Sequence, residues 1–175
     1  PIVGMEPAVK PAIKASKEKR IGILATEGTL KSAKFSALLE HHDGEYHFYT
    51  QPCIGLVELI EKGEINTPQI RELVSNYLAP LKHHNVDVVV LGCTHYFYIK
   101  NIVEGYFKKP VRVIDTGGAV AKQALNTLKK HNLLNNKKDK NPLIYSNSSS
   151  NINKVIERLM PINKHQLLFS KDFNI

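Results

Sequence analysis

Two hydrophobic rhythms alternate along this chain. Short apolar blocks without polar alternation predict strands buried on both faces, as in a parallel sheet. The clearest is the run Val86 to Leu91, interrupted only by Asp87. Ile21-Gly22-Ile23-Leu24-Ala25, Tyr46 to Tyr49 and Val111-Arg112-Val113-Ile114 predict further strands, and so do Leu143-Ile144-Tyr145 and Gln166 to Phe169. Ile2-Val3-Gly4 reads as the end of another. Between them the spacing becomes helical. Leu30 to His42 carries Leu30, Ala33, Phe35, Leu38 and Leu39 along one rough face. Leu56 to Lys62 forms a short helix closed by Gly63. Thr67-Pro68 is a strong helix start, because Thr caps and Pro fits the first helical position. Behind it Ile70, Leu73, Val74, Tyr77, Leu78 and Leu81 form an apolar stripe. Tyr96 to Phe107, Gly118 or Ala119 to His131, and Ile152 to Met160 complete the helices. Strands alternating with helices predict a parallel α/β architecture.

The totals narrow the classes. With 175 residues the chain can build one sizeable core or two small lobes. No apolar run approaches a transmembrane length, so no membrane segment is expected. The N-terminus, Pro1-Ile2-Val3-Gly4-Met5-Glu6-Pro7, has no signal-peptide architecture and starts abruptly, as a fragment of a longer protein would. A formal charge of +8 permits attraction of acidic ligands. The cations are spread along the sequence except in Lys129 to Lys140, where interleaved Asn suits a solvated helix end and loop. Neither zinc-finger spacing nor aromatic–basic interleaving is present, so no specific nucleic-acid partner is expected. Two cysteines, Cys53 and Cys93, are too few for a disulfide framework and point to a reduced, cytoplasmic setting.

Candidate chemistry concentrates after the central strand, in Leu91-Gly92-Cys93-Thr94-His95-Tyr96. Ligands of open α/β sheets bind outside the carboxyl ends of strands. A thiol at the start of the following helix feels unpaired N–H groups that favour its thiolate. Cys93 is therefore either a small core hydrophobe or an activated thiol, and His95 two residues on adds a group able to polarise it. Gly92 provides backbone freedom for the turn. His41, His42, His47, His83 and His84 lack the spacing of a metal site and read as solvated. Cys53, behind Pro52, reads as structural, and Glu61 by itself as a surface carboxylate. Asp115-Thr116-Gly117-Gly118 matches no phosphate-binding loop and reads as a hinge or helix cap.

Five stretches together resemble the bacterial glutamate racemases of the cofactor-independent aspartate/glutamate racemase superfamily. They are Ile2 to Ala12, Ile23 to Thr29, Cys53 to Gly63, Leu91 to Tyr96 and Val113 to Gly117, in the family's order. The resemblance covers about the first 125 residues well and the last 50 by layout. It implies racemisation by two thiols on opposite faces of glutamate, one removing the α-proton and the other returning it. Cys93 matches the family's second catalytic cysteine. Thr94 matches a substrate-binding residue, and His95 one that binds substrate and assists that cysteine. Glu61 falls on a carboxylate that supports the histidine. No metal and no cofactor are implied; the partner is glutamate, with room for a homodimer.

The resemblance also implies a layout. Residues 1–115 correspond to a second α/β domain inserted into a first, and 116–175 to the C-terminal part of that first domain. The crossing falls at Asp115 to Gly118. The family's other cysteine, in an Asn-Thr motif, lies upstream of Ile2 and is not in this sequence. Cys53 matches a non-catalytic stretch and cannot replace it. This chain alone is therefore expected to be inactive. Phe97 and Tyr98 stand where the family usually has Pro and an aliphatic residue, which leaves the packing of that helix start open. Racemisation of aspartate or another amino acid, or a non-catalytic binding role on the same fold, are the alternative readings.

Overall fold

A computed structural model describes residues 1–42, 44–135, 144–146, 152–159 and 167–169. Strands β1 (Arg20–Ala25), β2 (His47–Pro52), β3 (Val88–Leu91) and β4 (Arg112–Asp115) form a parallel sheet in the order β2-β1-β3-β4. A second, two-stranded parallel sheet joins β5 (Ile144–Ser146) to β6 (Leu167–Phe169). The helices are α1 (Val9–Ala15), α2 (Glu27–Leu30), α3 (Ala33–Glu40), α4 (Leu56–Glu61), α5 (Pro68–His83), α6 (Lys100–Tyr106), α7 (Gly117–Lys130) and α8 (Ile152–Leu159). A 3-10 helix spans Thr94–Ile99. The class is α/β, as the alternating pattern predicts. Among the described residues no helix is long and apolar enough to cross a membrane.

The sheet is buried on both sides because its strands carry apolar residues at successive positions. Val88 and Val90 of β3 join Ile21, Ile23 and Ala25 of β1 in one cluster, closed by Val9 and Ala12 of α1 and Phe35 of α3. Val89 and Leu91 face the other way with Leu24, and meet Leu56, Ile60, Ile70, Leu78 and Leu81 of α4 and α5. All four β3 side chains are fully buried. Each buried aliphatic side chain of this kind contributes about 1.5–3 kcal/mol. Gly22 makes room for α5: a Cβ there would lie 2.8 Å from Leu81 Cδ1. Thr67 caps α5 by accepting from the Ile70 N–H, with Pro68 behind it, as its sequence predicts.

Three elements differ from expectation. Ile2-Val3-Gly4 is not a strand; the segment before α1 has no regular structure, and Ile2 is 97% exposed. The helix expected over Leu30 to His42 is two helices. Thr26 accepts from the Thr29 N–H to start α2, and Ser32 accepts from the Phe35 N–H to start α3, so a second cap breaks the run. The helix expected over Tyr96 to Phe107 begins instead as the 3-10 helix and becomes α6 at Lys100. In 3-10 geometry residues three apart eclipse, and this stacks Tyr96 and Ile99, both fully buried, toward the core. Of the remaining expectations, 136–143, 147–151, 160–166 and 170–175 lie outside the described residues. Leu143, the 147–151 part of the Ser-rich entry, Met160 and Gln166 fall there.

Asp115, at the end of β4, ties three elements together. Its Oδ2 accepts from Lys100 Nζ at 2.9 Å, and its Oδ1 accepts from the Gly117 N–H at 3.0 Å. The turn is thus a helix cap for α7, one of its two sequence readings. The Lys100 ammonium holds the Asp115 carboxyl below the usual carboxylate range, against a smaller opposing effect of burial. A depressed native value means that the stabilisation is present above the unfolded-state value of about 3.9 and is lost as pH falls through the native one. Asp115→Asn is expected to cost about 2 kcal/mol at neutral pH and to lessen the acid-side loss of stability. Urea melts of both proteins from neutral to acidic pH check this; parallel pH curves would contradict it.

Candidate active site

The carboxyl ends of β1, β3 and β4 lie side by side, and the loops that leave them carry Thr26, Cys93 and Thr116. All three line one cavity of about 580 Å³, with Glu6, Thr29 and Lys34 on its walls. Gly92 sets the position of Cys93. Its N–H donates to the Leu24 carbonyl at 2.7 Å, which carries the β1–β3 ladder one residue beyond the strand. A Cβ on Gly92 would sit 2.9 Å from that same oxygen and 3.1 Å from Ala25 Cβ. The glycine is needed for close approach, and its φ is not positive, so the backbone freedom expected at this turn is not what selects it.

Cys93 is partly exposed. Its Sγ lies 3.7 Å from His95 Nδ1, and the Nε2 of the same ring lies 3.1 Å from Glu61 Oε1. Thr94 Oγ1 is 3.5 Å from His95 Nδ1. Glu61 comes from the last turn of α4, so the contact spans 34 residues of sequence. The carboxylate orients the imidazole and favours a proton on Nε2, which leaves Nδ1 free to accept from the thiol. The thiol–imidazole–carboxylate line is open to solvent on its Glu61 side, where the carboxylate side chain is 62% exposed. It is therefore an orienting contact of modest strength, on the scale of about 0.2–1 kcal/mol for exposed pairs. Cys93 caps the six-residue 3-10 helix and not a long α-helix, so the local imidazole, more than a macrodipole, is what the thiol meets.

The structure thus brings together all four residues singled out by sequence: Cys93, Thr94, His95 and Glu61. Cys53 is separate in character. It is 3% exposed, and burial pushes its thiol up to about 12. Its carbonyl accepts from the buried Tyr96 hydroxyl at 3.4 Å, so Cys53 serves the packing beneath the site. Glu6, Thr26, Thr29, Lys34 and Thr116 were not assigned site roles from sequence. Glu6 accepts from Lys34 Nζ at 2.6 Å, and this contact holds the Glu6 carboxyl below its ordinary value. Thr26 and Thr29 share a hydroxyl–hydroxyl hydrogen bond of 2.9 Å, and Thr26 is also the cap of α2. The usable signal was their position directly after a buried strand. Among the described residues, no three His, Cys, Asp or Glu side chains gather as a metal-ligand set.

Comparison with known proteins places this arrangement. The model of the Asp/Glu/Hydantoin racemase family matches residues 1–124. This chain belongs to the Asp/Glu/hydantoin racemase family. It is 49% identical over 134 residues to a glutamate racemase of Pseudomonas syringae pv. tomato, covering 77% of this chain and 49% of that protein. To a glutamate racemase of Pseudomonas aeruginosa it is 43% identical over 162 residues, covering 93% of this chain and 60% of that one. The structure of Escherichia coli glutamate racemase, in complex with L-glutamate and the activator UDP-MurNAc-Ala, superposes with a TM-score of 0.76 at 25% identity, over 97% of this chain and 64% of that chain. A Bacillus anthracis glutamate racemase isoform shares the fold with a TM-score of 0.77 at 23% identity, over 91% of this chain and 59% of the other. The chain spans about half the length of the curated relatives it matches.

Gly92→Ala is expected to push β3 from β1 beside Cys93 and to cost about 1–3 kcal/mol. A thermal or urea midpoint measured on the variant checks it; an unchanged midpoint would show that the strand ends part without cost.

Proposed function

We propose that this chain is the Cys93-bearing part of a cofactor-independent glutamate racemase. The observation that carries the reading is the line Cys93 Sγ, His95, Glu61 at the carboxyl end of β3. One thiolate removes the α-proton of glutamate, forming S–H and leaving the electron pair on the α-carbon and its carboxylate. A thiol on the opposite face then delivers its proton to that carbon and becomes thiolate. Inversion without rotation of the substrate needs two such groups, and Cys93 is one. His95 accepts from the Cys93 thiol and keeps its proton mobile, and Glu61 orients His95. The hydroxyls of Thr26, Thr29 and Thr94 offer donors for the substrate carboxylates. The product D-glutamate supplies peptidoglycan synthesis, and the setting is the cytoplasm.

The second thiol belongs to the part of the relatives' length that this sequence does not span. In this reading residues 1–115 are an inserted domain, and 116–175 complete a first domain whose other portion lies upstream. The helix α7 supports it. None of its residues is buried, and Leu125 and Leu128 are left exposed on a helix that an added domain would cover.

Three outcomes test the proposal. The 175-residue chain alone is expected not to interconvert L- and D-glutamate, as read by chiral chromatography; turnover by this chain would sink the two-thiol division. In a chain extended upstream to the length of its relatives, Cys93→Ala is expected to abolish racemisation, a loss of at least about 10³-fold, while leaving the circular dichroism spectrum intact. Glu61→Gln in the same chain is expected to lower kcat by about tenfold and to shift its pH profile, since it acts through His95. Full activity of Cys93→Ala would refute its role.

A further inference from the structure

At the opposite pole of the sheet, where the strands begin, lies a second and larger concavity of about 1160 Å³. Lys17, Arg20, Lys82, Lys108, Lys109 and Arg112 line it, against two carboxylates, Glu18 and Asp87. Arg20 opens β1, Arg112 opens β4, and Asp87 directly precedes β3 between them. The basin is separated from Cys93 by the run from Asp87 through β3, roughly 20 Å of extended chain, and shares no residue with the site cavity.

Six cations face two carboxylates in this basin, so positive charge is in excess. Asp87 is committed: it accepts from the Ser16 hydroxyl at 2.7 Å and from the Lys17 and Glu18 N–H groups at 2.6 and 2.9 Å. Those bonds fasten the loop between α1 and β1. Lys82 Nζ lies 5.4 Å from the centre of the Tyr106 ring, a contact that places the ammonium without neutralising it. Among the described residues none of the six cations pairs with a carboxylate. Helix C-termini do attract cations, and Lys82 sits in the last turn of α5. That effect fades within a turn, and Arg20 and Arg112 stand on strands. Phe107, Pro110 and Val111 give the basin an apolar wall. Its volume is that of a small-molecule site and not of a single inorganic ion.

We propose that this basin binds a small polyanion carrying two or more phosphate groups, at a site separate from the cysteine cavity. Arg20 and Arg112 present planar guanidinium groups from either side of Asp87, and the lysines of the turn after α6 supply point charges around them. The apolar wall accommodates the organic part of such a ligand.

Isothermal titration of the 175-residue chain with inorganic triphosphate at low ionic strength tests this. One saturable site is expected, weakening as salt is added. The pair Arg20→Gln and Arg112→Gln is expected to reduce affinity by at least about tenfold. The pair Lys129→Gln and Lys130→Gln removes the same charge from the end of α7 and is expected to leave affinity unchanged. If the arginine pair fails to fold by circular dichroism, Lys108→Gln with Lys109→Gln, in an exposed turn, carries the same expectation. No saturable binding, or equal loss in both charge-matched pairs, would overturn the proposal. So would a single-stranded oligonucleotide whose affinity exceeds that of triphosphate and rises with length, which would make the basin a nucleic-acid surface.

Discussion

The closeness of β1 and β3 at their carboxyl ends is the constraint from which the rest of the site follows. The Gly92 N–H reaches the Leu24 carbonyl at 2.7 Å, and no side chain fits between them. The ladder thereby extends past the last regular residue of β3 and delivers Cys93 onto the loop at a fixed height above the sheet. Beneath it, Val89 and Leu91 on one face and Val88 and Val90 on the other anchor the strand in both cores. In the proposed reaction, a thiol that exchanges a proton with carbon tolerates little positional error. Attaching it to the most deeply buried strand is a direct way to limit that error.

Burial sorts the two cysteines. Cys53 and Cys93 both follow the carboxyl ends of strands on the same edge, yet Cys53 is enclosed and its thiol is pushed up to about 12, far from any working pH. Cys93 keeps an exposed flank and an imidazole within reach. Tyr96 enforces the difference. Its side chain is fully buried and its hydroxyl donates to the Cys53 carbonyl, so the 3-10 helix that follows Cys93 is pulled down over Cys53. The same contact that closes one thiol leaves the other at the rim.

What the sequence made legible follows from which interactions are local. Val86 to Leu91 announced a doubly buried strand because every side chain of β3 lies in a core, and Thr67-Pro68 announced α5 because a cap is a neighbour effect. The 3-10 helix was not legible, since it depends on Tyr96 and Ile99 finding the core together. The break at Ser32 was hidden inside an acceptable helical stripe. Glu61 looked like any surface carboxylate. Its link to His95 crosses 34 residues and was reachable only through family resemblance. Thr26 caps α2 by accepting from the Thr29 N–H, and that local role conceals that both threonines also line the cavity.

Parallel topology explains why both cavities draw on distant parts of the chain. When every strand runs the same way, all strand exits gather at one edge of the sheet and all entrances at the other. The exits bring Thr26, Cys93 and Thr116 together, with hydroxyls and a thiol. The entrances bring Arg20 and Arg112 to either side of Asp87, joined by lysines from the preceding turns. In the sequence these cations are scattered, and nothing in their spacing marks a patch. A net charge of +8 therefore says less than its placement. Asp87 secures the Ser16 to Glu18 loop and offsets only part of the charge around it, and the basin keeps its positive field because six cations face two carboxylates.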